Sequence, residues 1–308
     1  MRAQARWPLV FWFGLLGAVA VADQARESTL QAYVVVLAKD GITPVTNLTP
    51  SDFGVRVDGQ SVRIRSVSAG PQPVSAVVLF DASASVGLQP ARDKERIEAF
   101  ESSFSVHLRE TDRVRVGTFA GDISLSPKLT GARADLAGQV RLAYSSLPAE
   151  SRYGPSPLWD SIGKAIDALQ ADRGRHFVIA VTDGRSTGNV HSRSEIIRKA
   201  VTFDTALCFI VAPVIPDTGI PQAALESGGL WLSSHTPQPT IGLALGRILE
   251  AMHGTYLLTF EPQANLGDDH RIEIAVRGQP TVSYRRAYSS GAISAEEKKI
   301  QNLEIRRP

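Results

Sequence analysis

Three near-continuous apolar runs, Val74–Phe80, Phe177–Val181 and Ala206–Val211, limit the fold more than any other feature of the chain. A strand with one wet face alternates apolar and polar residues. A strand without that alternation is covered on both faces, the situation of parallel strands beneath helices. Helix-period segments lie between and after these runs. Arg92–Leu108 places Ile97, Phe100, Phe104 and Leu108 on one stripe, and Leu158, Ile162, Ala165, Ile166 and Leu169 form a second. Ser194–Phe203 and Ile241–Met252 read as further helices. Val114–Phe119, Ile123–Leu125, Leu207–Val214 and Leu230–Leu232 read as strands. Strand and helix in alternation predict an α/β fold with a doubly wound, mainly parallel sheet.

The period is two on either side of this region. Tyr33–Leu37, Phe53–Val57 and Val62–Arg65 precede it, the last two joined at Asp58-Gly59, a strong hairpin signal. Tyr256–Phe260, Arg271–Val276 and Thr281–Arg285 follow it. Three strands alone are marginal, so the two chain ends are expected to pair in a small flanking β domain. The expected division is a leader at 1–22, an N-terminal β segment at 23–71, an α/β domain at 72–253, a C-terminal β segment at 254–290 and a polar tail at 291–308.

The leader has Arg2 and Arg6, an apolar run from Trp7 to Ala22, and small residues at Ala18, Ala20 and Ala22. That pattern reads as a secretory signal peptide and predicts a secreted or periplasmic protein. Its apolar run falls short of the roughly 20 residues of a spanning helix. Membrane contact is therefore expected, if at all, through an uncleaved leader. Loss of Arg2 and Arg6 leaves 31 basic and 31 acidic side chains, so bulk charge selects no nucleic acid. A single cysteine, Cys208, excludes a disulfide framework and Cys-rich metal sites and is expected in the core. The six histidines lack the H-E-x-x-H spacing of a zinc site. Arg173-Gly174-Arg175-His176 reads as a solvated loop, and Arg285-Arg286 as solvent-facing.

Chemistry concentrates where buried strands end. In open α/β sheets ligands bind beyond the carboxyl ends of the strands. Asp81-Ala82-Ser83-Ala84-Ser85 follows the first run, and alternate positions on a turning backbone can aim one carboxylate and two hydroxyls at a common point. Val181-Thr182-Asp183-Gly184 places a second carboxylate, and Gly154-Pro155-Ser156-Pro157-Leu158 a hydroxyl at the head of a helix. Hard oxygen donors suit Mg²⁺ or Mn²⁺ rather than zinc. Each piece also has a local reading: turn serines after Asp81, Ser156 as an N-cap before Pro157, and Asp183 as an Asx turn before Gly184.

Val78–Ser85, Gly154–Asp160 and Val181–Gly184 together resemble the metal-ion-dependent adhesion site of von Willebrand factor type A domains, in order and spacing, over 72–253. The flanks Asp52–Gly59 and Tyr256–Pro262 are similar to those of bacterial, acidobacterial-type VWFA-related proteins. The resemblance implies one bound Mg²⁺ (or Mn²⁺ or Ca²⁺), with Ser83 and Ser85 coordinating directly and Asp81 and Asp183 directly or through water. Ser156 stands where the family usually has threonine, keeping the hydroxyl and losing a methyl. The implied function is cation-dependent, adhesion-type protein binding without catalysis, the partner offering an acidic side chain to the metal. Two alternatives stand beside it. One is a structural scaffold whose metal site is vestigial. The other is a serine hydrolase at Ser186, within Gly184-Arg185-Ser186-Thr187-Gly188. In that motif the serine should sit on a tight strand-to-helix turn, yet Thr182 and Asp183 intervene and the next helix begins near Ser192–Ser194.

Overall fold

The computed structural model describes residues 29–70, 73–86, 90–148, 150–211, 219–233, 240–261, 269–279 and 281–289. The expected leader and polar tail lie outside the described residues. The chain opens with β1 (Leu30–Leu37), β2 (Phe53–Val57), β3 (Gln60–Ser61) and β4 (Ile64–Ala69). An alternating region follows: β5 (Val74–Asp81), α1 (Pro90–Ala99), α2 (Ser105–His107), β6 (Arg113–Phe119), β7 (Ile123–Leu125) and α3 (Arg133–Ser145). It continues through α4 (Leu158–Leu169), β8 (Arg175–Thr182), α5 (Arg193–Thr202), β9 (Thr205–Val211), α6 (Gly219–Ser227), β10 (Trp231–Ser233) and α7 (Ile241–His253). The last strands are β11 (Tyr256–Phe260), β12 (Asp269–Val276), β13 (Thr281–Tyr284) and β14 (Ala287–Ser289).

The central sheet runs β10-β9-β8-β5-β6-β7, parallel except for the edge strand β7. The unbroken apolar run of β5 is divided by the pleat. Ala76, Val78 and Phe80 pack with Phe100, Phe104, Leu136, Val140, Leu245 and Ile248 from α1–α3 and α7 and the turns between them. Val77 and Leu79 pack on the other side with Leu158, Ile162, Ile166, Ile196 and Ile220 of α4–α6. Each such side chain contributes about 1.5–3 kcal/mol on burial, which is why both faces must be apolar. This is the doubly wound α/β arrangement that the periodicity predicts. Among the described residues no helix is long and apolar enough to cross a membrane.

Local chemistry explains the departures. Phe100, Phe104 and Leu108 recur every four residues, a spacing that drifts around a 3.6-residue helix. A π-helical turn at Phe100–Phe104 joins α1 to α2, and all three side chains are buried. α3 and α6 escape the pattern reading: α3 carries Gly138 inside it and leaves Leu142 exposed, blurring its stripe. The expected hairpin closes at Asp58-Gly59, both with positive φ as a type I′ turn requires. Its second arm does not stay in the sheet. Val62 N–H donates to the Val55 carbonyl, and from Ile64 the chain crosses to pair with β11.

The two chain ends form antiparallel sheets ordered β13-β1-β11-β4 and β14-β12-β2-β3. Ala32, Val34, Val36, Val55, Leu258, Phe260, Ile272 and Ile274 fill the space between them. The alternate residues of β1, Val35 and Leu37, join the core beneath α7, so one strand belongs to both bodies. Arg175 and Arg285 correct the expectation of solvated arginines, for both are buried at this junction. Arg175 Nη1 donates to Asp204 Oδ1 (3.2 Å) and its guanidinium lies 4.8 Å from the Tyr33 ring centre. Arg285 Nη2 donates to the Gln31 carbonyl (2.7 Å), and its Nε lies 3.7 Å from Asp204 Oδ1. Burying a guanidinium without such partners is prohibitively costly. Cys208 lies in the core of β9, its thiol pushed up to about 12 by burial.

Candidate metal centre

Parallel strands end at one edge, and β5 and β8 bring Asp81 and Asp183 there together. Asp81 is fully buried. Its Oδ1 accepts from the Ser83 N–H (3.0 Å), the Ser83 hydroxyl (2.6 Å) and, at the limit of hydrogen-bond reach, the Ser156 hydroxyl (3.5 Å). Its Oδ2 accepts from the Thr182 hydroxyl (2.7 Å). Ser85 is exposed with its Oγ 3.1 Å from Ser83 Oγ. Thus the structure gathers Ser83 and Ser156 around the Asp81 carboxylate, with Ser85 beside Ser83.

Burial pushes the Asp81 pKa up, and the charge of Asp183 adds to that rise, against the pull of hydrogen bonds from Ser83 and Thr182. Asp183 does make the Asx turn that its position before Gly184 suggests: its Oδ1 accepts from the Arg185 N–H at 2.9 Å. Its Oδ2, however, is buried and finds no hydrogen-bond partner among the described residues. A buried carboxylate oxygen without a donor is costly and calls for a positive partner. The donors present are all oxygens, so the set fits a hard divalent cation. No group of three or more His, Cys, Asp or Glu that could hold a metal occurs among the described residues, so hydroxyls must complete any such shell.

The structure also settles the local reading of Ser156. Pro157 stands at the N-cap of α4, and no side chain of the cap residue bonds the helix. Capping comes from another loop instead. Asn189 Oδ1 accepts from the N–H groups of Trp159 (2.9 Å) and Asp160 (3.4 Å), while the Asp160 carboxylate accepts from those of Val190 (2.7 Å) and His191 (2.9 Å). These exchanged bonds satisfy helix donors that would otherwise be orphaned. Ser156 N–H donates to Thr187 Oγ1 (3.0 Å) and Thr187 N–H returns a bond to the Ser156 carbonyl (2.9 Å). Gly188, at φ +70°, lets the loops touch, since a Cβ there would stand 2.5 Å from that of Pro155. Ser156 is thereby free to turn its hydroxyl toward Asp81.

Thr182, Thr187, Asn189 and Arg96, which donates to the Asp81 carbonyl (2.6 Å), were not legible as site residues. For Thr182 a signal existed: it is the last residue of β8, beside the strand that ends in Asp81. Ser186 donates weakly to the Ser156 carbonyl (3.4 Å) and accepts from Asn189 Nδ2 (2.8 Å). The cap of α5 is Ser192, six residues beyond, so Ser186 is not at a strand-to-helix elbow.

Compared with protein-family models and with curated proteins, the chain finds no match. Solved structures do resemble it. Proximal thread matrix protein 1 from the mussel byssus, solved with zinc occupying its MIDAS motif, aligns with a TM-score of 0.51 and 14% identity, over 63% of this chain and 49% of that one. The fold is that of a von Willebrand factor type A (VWA) domain. A von Willebrand factor type A protein from Catenulispora acidiphila aligns over 84% of this chain and 74% of its own, with 10% identity and a TM-score of 0.47. BatB from Bacteroides thetaiotaomicron aligns over 58% and 97%, with 15% identity and a TM-score of 0.45. At these identities the likeness is one of fold.

Proposed function

We propose that the protein is a secreted or periplasmic VWA protein that binds a protein partner through one divalent cation, without catalysis. The observation that carries this reading is the buried Asp183 Oδ2, without a hydrogen-bond partner among the described residues, in the same site as Asp81 and three serine hydroxyls. Asp81, Ser83, Ser85, Ser156 and Asp183 would hold the ion, Mg²⁺ or alternatively Mn²⁺ or Ca²⁺. A bound cation supplies a Lewis-acidic point at which an oxygen ligand can be recognised.

The chain's own residues prepare that point. Ser83 and Thr182 orient the Asp81 carboxylate through both its oxygens, which fixes the direction of its remaining lone pairs. The Arg185 N–H occupies Asp183 Oδ1 and so leaves Oδ2 as the ligand atom. Two carboxylates balance a divalent charge, and an acidic side chain of a partner would complete the shell. The leader at 1–22 supports export. The flanking sequences at 52–59 and 256–262 support placing the protein among bacterial VWFA-related proteins with a terminal β domain.

The test is calorimetric titration of Mg²⁺ and of Mn²⁺ into EDTA-stripped protein, with Asp81→Ala as the control. One-site binding lost in the variant supports the reading. Absence of binding in the wild type overturns it in favour of a scaffold.

A further inference from the structure

Helix α1 lies directly after the loop that carries Ser83 and Ser85, and two of its side chains, one turn apart on the same face, reach back to the site. Arg96 is buried and donates to the carbonyl of Asp81 (2.6 Å), at the point where β5 leaves the sheet. The next peptide N–H, that of Ala82, is bonded to the Phe119 carbonyl of β6 (2.9 Å), so Arg96 and β6 together hold the chain where it leaves the strand. Asp93 bonds Arg152 Nη2 at 2.8 Å, with each side chain about 15% exposed (15% and 16%). Arg152 sits in the 3₁₀ turn Glu150–Tyr153, which leads through Gly154 and Pro155 into Ser156. That turn is itself anchored, for the Gly121 N–H donates to the Ser151 carbonyl (2.7 Å) and the Ser151 hydroxyl to Asp122 Oδ2 (2.7 Å).

Hence one helix grips both loops whose hydroxyls face Asp81. Its two contacts differ in kind: one ends on the backbone of Asp81, the other on the loop that carries Ser156. The Ser156 hydroxyl is 3.5 Å from Asp81 Oδ1, the longest contact in the cluster, so its placement depends on how the two loops are held apart. We propose that Arg96 and the Asp93–Arg152 pair are positioning residues of the cation site, holding the Asp81–Ser85 loop and the Ser156 loop at the separation that cation binding requires. This rests on the proposed cation-binding function. Residues that orient metal ligands typically change metal affinity by 10- to 100-fold when lost, whereas a merely structural ion pair changes melting temperature alone.

The experiment measures Mg²⁺ and Mn²⁺ dissociation constants by calorimetry, and melting temperature of the EDTA-stripped protein, for wild type, Arg152→Gln, Asp93→Asn, Arg96→Lys and the charge-swapped double variant Asp93→Arg/Arg152→Asp. The expected result is a dissociation constant raised about tenfold or more in Arg152→Gln and Asp93→Asn. The double variant should recover most of that loss, and Arg96→Lys, which keeps a donor for the Asp81 carbonyl, should lose less than either single pair variant. The swap keeps the inference open to refutation if a single variant folds poorly. Wild-type cation affinity in all variants, with melting temperature lowered, overturns the positioning role and leaves the cation site standing. A wild type that binds neither ion overturns the site itself and this inference with it.

Discussion

Asn189→Ala should unfasten the loop that frees Ser156. In the structure Asn189 Oδ1 accepts two N–H groups of the first turn of α4, and its Nδ2 donates to Ser186 Oγ. Loss of a helix-capping acceptor costs about 1 kcal/mol, and the side-chain hydrogen bond adds about 1 kcal/mol. A total of about 2 kcal/mol corresponds to a fall of roughly 4–8 °C in melting temperature for a domain of this size. Asn189→Asp keeps an acceptor at the positive end of the helix and should recover most of the loss. Thermal unfolding of EDTA-stripped protein followed by circular dichroism reads both variants. If Asn189→Ala melts within a degree of wild type, the exchange of caps between α4 and the 184–191 loop is not holding that loop, and the account of how Ser156 reaches Asp81 fails.

Other outcomes follow from buried charge. Because the Asp81 pKa is raised, ionising it costs the folded state more than the unfolded one. The metal-free protein should therefore lose stability as pH rises from about 4 through that raised pKa, and Asp81→Asn should remove this loss in a comparison of melting temperature against pH. Asp112 behaves oppositely. Burial pushes its pKa up, but bonds from His253 and the Arg109 N–H outweigh this and hold it below the ordinary carboxylate range. Its contribution is present above about pH 4 and lost on acidification, and Asp112→Ala, which strands the Val74 and Arg109 N–H groups and His253, should cost about 3 kcal/mol in denaturant unfolding. Asp204→Asn should cost about 3–5 kcal/mol because it leaves Arg175 and Arg285 without their carboxylate. Asp204 has φ +45°, which asparagine also tolerates, so a small effect would show that charge is not what holds this junction.

The sheet was legible because burial on both faces leaves almost no polar positions in Val74–Phe80 or Phe177–Val181, a pattern that strands covered by helices require and half-exposed strands do not show. α3 was not, since Gly138 and the exposed Leu142 spoil its stripe and neighbouring elements supply the packing. Asp81 and Asp183 could be read from strand ends, where chain topology alone brings side chains together. Asn189 and Arg96 act on residues 30 and 15 positions distant, respectively, through contacts that no local periodicity encodes. The buried arginines misled for a similar reason: a charged residue reads as solvated until its distant partner, here Asp204, is in place. Ser156 shows the opposite error, a local rule satisfied in sequence and set aside in three dimensions, because Asn189 caps the helix in its stead.

The proposed function makes Asp183 Oδ2 a ligand atom for a divalent cation. Asp183→Asn tests it most directly, since the variant can keep its Oδ1 bond to the Arg185 N–H while an amide nitrogen replaces the other oxygen. Titration of Mn²⁺ into stripped wild type and variant should give one-site binding in the first and none in the second. Equal binding in both, or none in the wild type, contradicts the account.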